Sequence, residues 1–240
     1  MITLYGVGSP NVLKIIIALE EFGLPFKFVS LDLLRGDQYG DEFGALTLNR
    51  KVPVITDSEG PDGAPLTLWE SGAILVYLSA KSGQLLPTTP RERIITFQWL
   101  FFQMAGIGPM FGQHSHFRVY APEEAHAYSR ARYATEVKRL YDVVEKQLAK
   151  EKYLAGGDYS IADIAAWPWL HNATGRSVDL ASIPATHQWI ELIRQRPAVV
   201  AAQSFVDSLN SQGMLLRIPK EPDAVDRYVG RGRYSRPDFQ

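Results

Sequence analysis

Apolar and polar positions alternate over residues 2–5, the period of a half-buried strand, and then recur at helical spacing through Val12, Ile15, Ile16 and Leu19 until Gly23 closes the run. Residues 26–31 predict a second strand, 41–48 a short helical or irregular stretch, 53–57 a third strand and 66–69 a fourth, with a glycine- and proline-rich turn at 60–65. A helix follows from Ser71 to about Lys81, which completes the order β-α-β-α-β-β-α. Beyond it the pattern is helical throughout.

The clearest punctuation in the chain is residues 83–90, which read as a linker between a first domain, 1–82, and a helical second domain, 91–208. Thr89-Pro90-Arg91-Glu92 predicts an N-cap, a proline at the first helical position and a capping-box glutamate. The helix that follows meets Gly106-Ile-Gly-Pro109, which should kink or interrupt it. A long helix is expected over 123–149. Ser160-Ile-Ala-Asp163 forms a second capping box, flanked by Tyr159 and Ile164 as a hydrophobic staple, so Asp163 has a structural role. Helices at 184–195 and 198–208 complete the domain, and 209–240 reads as a C-terminal tail, most simply mobile from Gly230 to Pro237.

Composition narrows the function classes. With 25 basic against 26 acidic residues the chain has no net field to gather nucleic acid or an anionic membrane, which favours small molecules or a second copy of itself as partners. No stretch reads as membrane-spanning and Met1 leads straight into a strand, so a cytoplasmic protein is expected. The chain has no cysteine, so any thiol chemistry must use a ligand's sulfur. No metal is expected: among five histidines the His114-Ser-His116 pair projects to different helix faces and lacks companions at ligand spacing. Trp99, Trp167, Trp169 and Trp189 are candidate core residues.

Two short segments carry chemistry. Val52-Pro53 opens a strand where a cis bond is possible, and a backbone turned outward at Val52 can pair with an extended peptide. Glu70-Ser71 starts a helix, where free N–H groups, a hydroxyl and the positive helix end hold a carboxylate while Glu70 holds the neighbouring amine. An amino-acid head group joined to a short peptide is the γ-glutamyl end of glutathione.

The strand order resembles the thioredoxin fold. The Val-Pro turn, Glu-Ser helix start, proline-marked linker, helical second half and Ser-Ile-Ala-Asp box together resemble a cytosolic glutathione transferase across residues 1 to about 208. The fold class expected is therefore α+β, a thioredoxin-like domain followed by an all-α domain. Ser9-Pro-Asn11, Gly36-Asp-Gln38, Asn49-Arg-Lys51, Gln98-Trp-Leu-Phe, Gly108-Pro-Met-Phe-Gly-Gln113 and Arg132-Tyr133 are similar to the bacterial Nu class, related to the transferase domain of the yeast nitrogen-regulator prion protein.

That resemblance implies a homodimeric enzyme that uses glutathione, reduced or oxidised, mainly to reduce disulfides. Conjugation to electrophiles or reduction of organic peroxides is the enzymatic alternative, and a non-catalytic glutathione-binding regulator the other. The resemblance places Gln38 and Lys51 near the glycine carboxylate, Val52 on the cysteinyl backbone, and Glu70 and Ser71 on the γ-glutamyl group. Ser9 and Asn11, at the start of the first helix, are the candidates to stabilise a thiolate by hydrogen bonds and helix-end potential. Either also suits a plain helix cap, and Tyr5 competes as a donor or packs in the strand. Asn11 and Lys14 stand where a thioredoxin carries its two cysteines. Gln113, His114, Arg132 and Tyr133 are candidates for the second ligand, with Arg132 matching a carboxylate or else pairing with Glu136 on its own helix.

Overall fold

The computed structural model describes residues 1–121, 127–211 and 222–234. Strands β1 (Ile2–Gly6), β2 (Phe26–Ser30), β3 (Val54–Asp57) and β4 (Leu66–Trp69) form one sheet in the order β2-β1-β3-β4. β1 runs parallel to β2 and antiparallel to β3, and β3 runs antiparallel to β4. Helix α1 (Pro10–Phe22) makes the crossover from β1 to β2, as a parallel pair requires. A 3-10 turn, Asp37–Tyr39, and α2 (Asp41–Leu46) fill the stretch before β3, and α3 (Ser71–Ser82) follows β4.

The helical half comprises α4 (Pro90–Phe102), α5 (Gly108–Val119), α6 (Ala127–Leu148), α7 (Ile161–Leu170), α8 (Pro184–Arg194) and α9 (Pro197–Ser211). The expected start of α6 at residue 123 lies outside the described residues. α1 is sandwiched between α3 of its own half and α7 and α9 of the other, which is why every residue from Val12 to Leu19 is buried. At the head of α7, Ser160 and Asp163 form the reciprocal capping box, and Asp163 also accepts from Leu154 N and from Trp189 Nε1 at 2.9 Å. The cap at α4 differs from expectation. The Thr89 hydroxyl donates to the Glu92 carboxylate itself, so the reciprocal backbone bonds do not form.

Two expectations are corrected. The glycines and Pro109 do not break the helix; Gln103–Ile107 widen it into one π-helical turn, and helix continues from Pro90 to Val119. Within that run one 18-residue window reaches a mean hydropathy of 1.3, so by length and composition alone one helix among the described residues is long and apolar enough to cross a membrane. Here its inner face, Trp99, Leu100, Ile107 and Phe111, packs into the core while Ile94 and Phe101 stay exposed. The C-terminal segment is not simply a loose tail. Residues Pro222–Val229 form α10, a 3-10 turn follows at Gly232–Tyr234, and the segment docks on the loop after β2. There Arg227 donates to Leu34 O at 2.9 Å, and its own carbonyl accepts from the Tyr39 hydroxyl at 3.0 Å. Residues 235–240 lie outside the described part.

Candidate active site

A cleft of about 760 Å³ opens where the sheet domain meets α5 and α7, and α10 walls its far side. Its floor is the start of α1, where Gly8, Ser9, Pro10 and Asn11 face Gly112, Gln113 and Trp169. Leu33, Gln38, Arg50, Lys51 and Val52 form one flank; Val225, Tyr228 and Arg231 of the C-terminal segment form another. The Val52-Pro53 peptide is cis.

Strand register brings the two chemical segments together. Val54 pairs with Trp69, so the antiparallel ladder, extended by two residues, sets Glu70 and Ser71 beside Pro53 and Val52. Glu70 holds φ 74°, a left-handed value that costs a non-glycine residue on the order of 1–3 kcal/mol and that occurs where surrounding structure imposes it. Its carboxylate accepts from the Asn49 amide at 3.4 Å. Ser71 is 3% exposed, at the first position of α3.

At the start of α1 the two candidate thiolate partners have different duties. Ser9 caps the helix by accepting from Val12 N at 3.5 Å, which leaves the hydroxyl hydrogen available to a ligand. Asn11 is not the cap. Its carbonyl oxygen accepts from Trp169 Nε1 at 3.0 Å, and because an indole N–H only donates, the orientation of the amide is settled. The Asn11 NH2 is thereby the edge left to donate, on a residue that lines the cleft. Tyr5 lies in β1, opposite Val29 and Val54, and does not line the cleft.

Several sequence candidates sit differently from their expected roles. Gln38 reaches the cleft but commits its amide hydrogens to Leu33 O and Arg227 O, so it offers a carboxylate no donor in this arrangement; Arg50 and Lys51 are the cations on that flank. Gln113 lines the cleft, while His114 beside it is buried under the wall. Burial, then the nearby Arg118 and Arg176 charges, lower the His114 pKa, which favours a neutral ring. Arg132 pairs with Glu136 at 3.2 Å and Tyr133 stacks on Phe117, and neither lines the cleft. The cation on that wall is instead Arg176, stacked over Phe111 and bonded through Nη1 to Asn172 O. Its Nε is buried without a partner, and it forms no ion pair with a carboxylate among the described residues. Among those residues, too, no cluster of His, Asp and Glu is placed to hold a metal ion.

The sequence showed no sign of Arg176, placed Trp169 only among the core candidates and set Lys14 only where a thioredoxin carries a cysteine. Lys14 had a visible signal, a charge inside an otherwise apolar run; the other two depend on contacts between distant segments.

A thioredoxin-like sheet whose cis-proline turn and helix start converge on a cleft under a helical domain is the architecture of a glutathione transferase. The chain belongs to the glutathione S-transferase family: the model of that family's N-terminal domain matches residues 8–81 and that of its C-terminal domain residues 127–201. It is similar to the disulfide-bond oxidoreductase YfcG of Escherichia coli, 47% identical over 199 residues that span 82% of this chain and 92% of the relative. Among solved structures it resembles a Pseudomonas fluorescens family member with two glutathione bound, at 41% identity and TM-score 0.79, over 84% of this chain and 91% of that one. It likewise resembles a Pseudomonas putida glutathione transferase with one glutathione disulfide per subunit, at 41% identity and TM-score 0.78, over 84% and 90%.

Proposed function

We propose that the protein reduces disulfides by thiol-disulfide exchange, with glutathione supplying the nucleophilic sulfur. The observation that carries this reading is the Asn11 amide, oriented by Trp169 at the start of α1, with its NH2 left to donate on a residue that lines the cleft of a chain without cysteine. A thiol of ordinary pKa about 8.5 is mostly protonated at neutral pH, and donors plus the helix-end potential favour its thiolate. The thiolate attacks one sulfur of the substrate disulfide and the other sulfur leaves as a thiolate that takes a proton from water. A second glutathione then resolves the mixed disulfide and leaves as glutathione disulfide.

In this reading Val52 pairs with the cysteinyl backbone, Glu70 and Ser71 hold the γ-glutamyl amine and carboxylate, and Lys51 with Arg50 faces the glycine carboxylate. Residues 1–82 supply the first glutathione and 91–208 the wall for the second ligand, through Gln113 and Arg176. The similarity to a disulfide-bond oxidoreductase and to structures holding two glutathiones or their disulfide supports this reading. Turnover of a glutathione mixed disulfide well above that of cumene hydroperoxide or 1-chloro-2,4-dinitrobenzene is the expected result. Preference for the peroxide or the chloroarene would move the protein to the alternative chemistries, and turnover of none would make it a binding protein.

A homodimer is part of the proposal, through the exposed apolar face of α4 that includes Ile94 and Phe101. Sedimentation at micromolar concentration tests it, and a species of 26.9 kDa alone would refute it. A cytoplasmic setting, where reduced glutathione is abundant, completes the reading.

A further inference from the structure

Lys14, on the second turn of α1, is 1% exposed and lies directly behind Ser71. Its ammonium donates to Ser71 Oγ at 3.1 Å and to Gln103 Oε1 at 2.7 Å, and touches Met104 Sδ at 3.6 Å. All three partners are neutral, and no carboxylate among the described residues is within ion-pair distance. A buried cation without an anion is costly unless something brings one. Around it the polar bonding is incomplete. Gln103 Nε2 is buried with no partner, and the Ser71 hydroxyl hydrogen has only a 3.6 Å contact to the Met104 sulfur. Gln103 and Met104 belong to the π-helical turn, a geometry often found where a helix serves a site.

We propose that Lys14 is a positioning residue for the γ-glutamyl end of glutathione, acting through Ser71: the ligand's carboxylate takes the Ser71 hydrogen over from the Met104 sulfur, and its charge draws a proton from solvent onto the amine behind. The inference rests on the reading that Ser71 holds that carboxylate. Desolvation brings the Lys14 pKa down to about 7 in the free protein, the nearby Glu70 charge opposing the shift, so the amine is poised to change state when an anion arrives. Glu70 is the charged group that acts on it; Ser71, Gln103 and Met104, from the elements packed against it, are neutral. Lys14 stays clear of the ligand's sulfur in this scheme, and its effect falls on affinity rather than on the exchange step.

The test is titration calorimetry with S-methylglutathione, which has no titrating thiol, in buffers of different ionisation enthalpy from pH 6 to 8.5. Wild type should take up close to one proton per site near pH 8 and almost none at pH 6, and binding should weaken as pH rises between them. Lys14→Met should abolish the uptake, weaken binding roughly tenfold at pH 6.5 and leave kcat at saturating glutathione within about twofold. The analogue with 4-aminobutyrate in place of γ-glutamate, which lacks only the α-carboxylate, should bind wild type without uptake. Absence of uptake by wild type overturns the proposal whether or not the Met variant folds. So does uptake that survives in Lys14→Met. If Ser71→Ala binds S-methylglutathione as wild type does, the placement of the γ-glutamyl group fails instead, and this inference falls with it.

Discussion

Trp169 and Asn11 are separated by 158 positions in the chain, yet one 3.0 Å hydrogen bond from indole to amide fixes which edge of the Asn11 amide is left to donate. The helical domain thus sets the polarity of a group in the sheet domain. Asn11→Ala should raise the pKa of bound glutathione and slow disulfide reduction by roughly one to two powers of ten, with affinity changed less. Trp169→Phe, which keeps the bulk and removes the N–H, should give a smaller loss in the same direction because the amide becomes free to flip. Ultraviolet absorbance of the bound thiolate against pH reads both. An unmoved titration in Asn11→Ala would shift the role to Ser9.

Glu70→Ala and Ser71→Ala should weaken glutathione binding by on the order of 1.5–3 kcal/mol each while leaving the rate from saturated enzyme nearly intact, because the γ-glutamyl end is remote from the sulfur. Glu70→Ala removes the carboxylate and keeps the left-handed backbone, so any loss of stability has to be measured beside the affinity. Calorimetry with unchanged affinity in both variants would place the ligand elsewhere.

Arg176→Ala should raise the KM for glutathione disulfide at least tenfold, the usual scale for losing a charge-assisted pair, whereas Arg132→Ala should stay within about twofold. The difference follows from position: Arg176 lines the cleft without a carboxylate of its own, and Arg132 is committed to Glu136 on an exposed helix face. Thermal unfolding of Arg176→Ala separates lost recognition from lost packing on Phe111. Equal effects of the two substitutions would remove Arg176 from the second-ligand wall.

Lys14 also gives the ligand-free protein a specific pH dependence. Its pKa is lowered to about 7 in the fold from an ordinary 10.5, so the unfolded chain binds more protons between those values. Stability must then rise with pH across that window, by at most about 1.4 kcal/mol per unit from this group, and the full cost is present below pH 7. Urea unfolding of wild type and Lys14→Met at pH 7 and pH 9 should show wild type gaining relative to the variant at the higher pH. A constant gap would mean that the amine is not desolvated as its burial requires.

Features written in consecutive residues were readable from the sequence. The cis Val52-Pro53 turn, the Glu70-Ser71 helix start and the Ser160-Asp163 box each depend on local backbone demands that only a few residue types meet. What the sequence withheld depends on packing between distant segments. Trp169 is an ordinary apolar position of α7 until α1 passes beneath it, and Arg176 faces the cleft only because a short 3-10 turn, Thr174–Arg176, presents it. Docking of α10 was equally hidden. A stretch rich in glycine and charge looks unstructured unless the carbonyl of Leu34 and the hydroxyl of Tyr39 are known to await it.

The π-helical turn has a consequence for how this chain tolerates change in length. Such a turn holds one residue more than an α-helical turn, and each α-helical residue advances the direction around the axis by about 100°. Deleting a single residue between Gln103 and Ile107 would restore a regular helix with both ends still in phase, Gln113 toward the cleft and Ile94 and Phe101 outward, whereas drawing all five residues into α-helical geometry would rotate everything beyond them by about that angle. The surplus residue is thus absorbed where it stands, and a one-residue deletion inside this turn should disturb the facing of Gln113 far less than the same deletion elsewhere between Ile94 and Gln113.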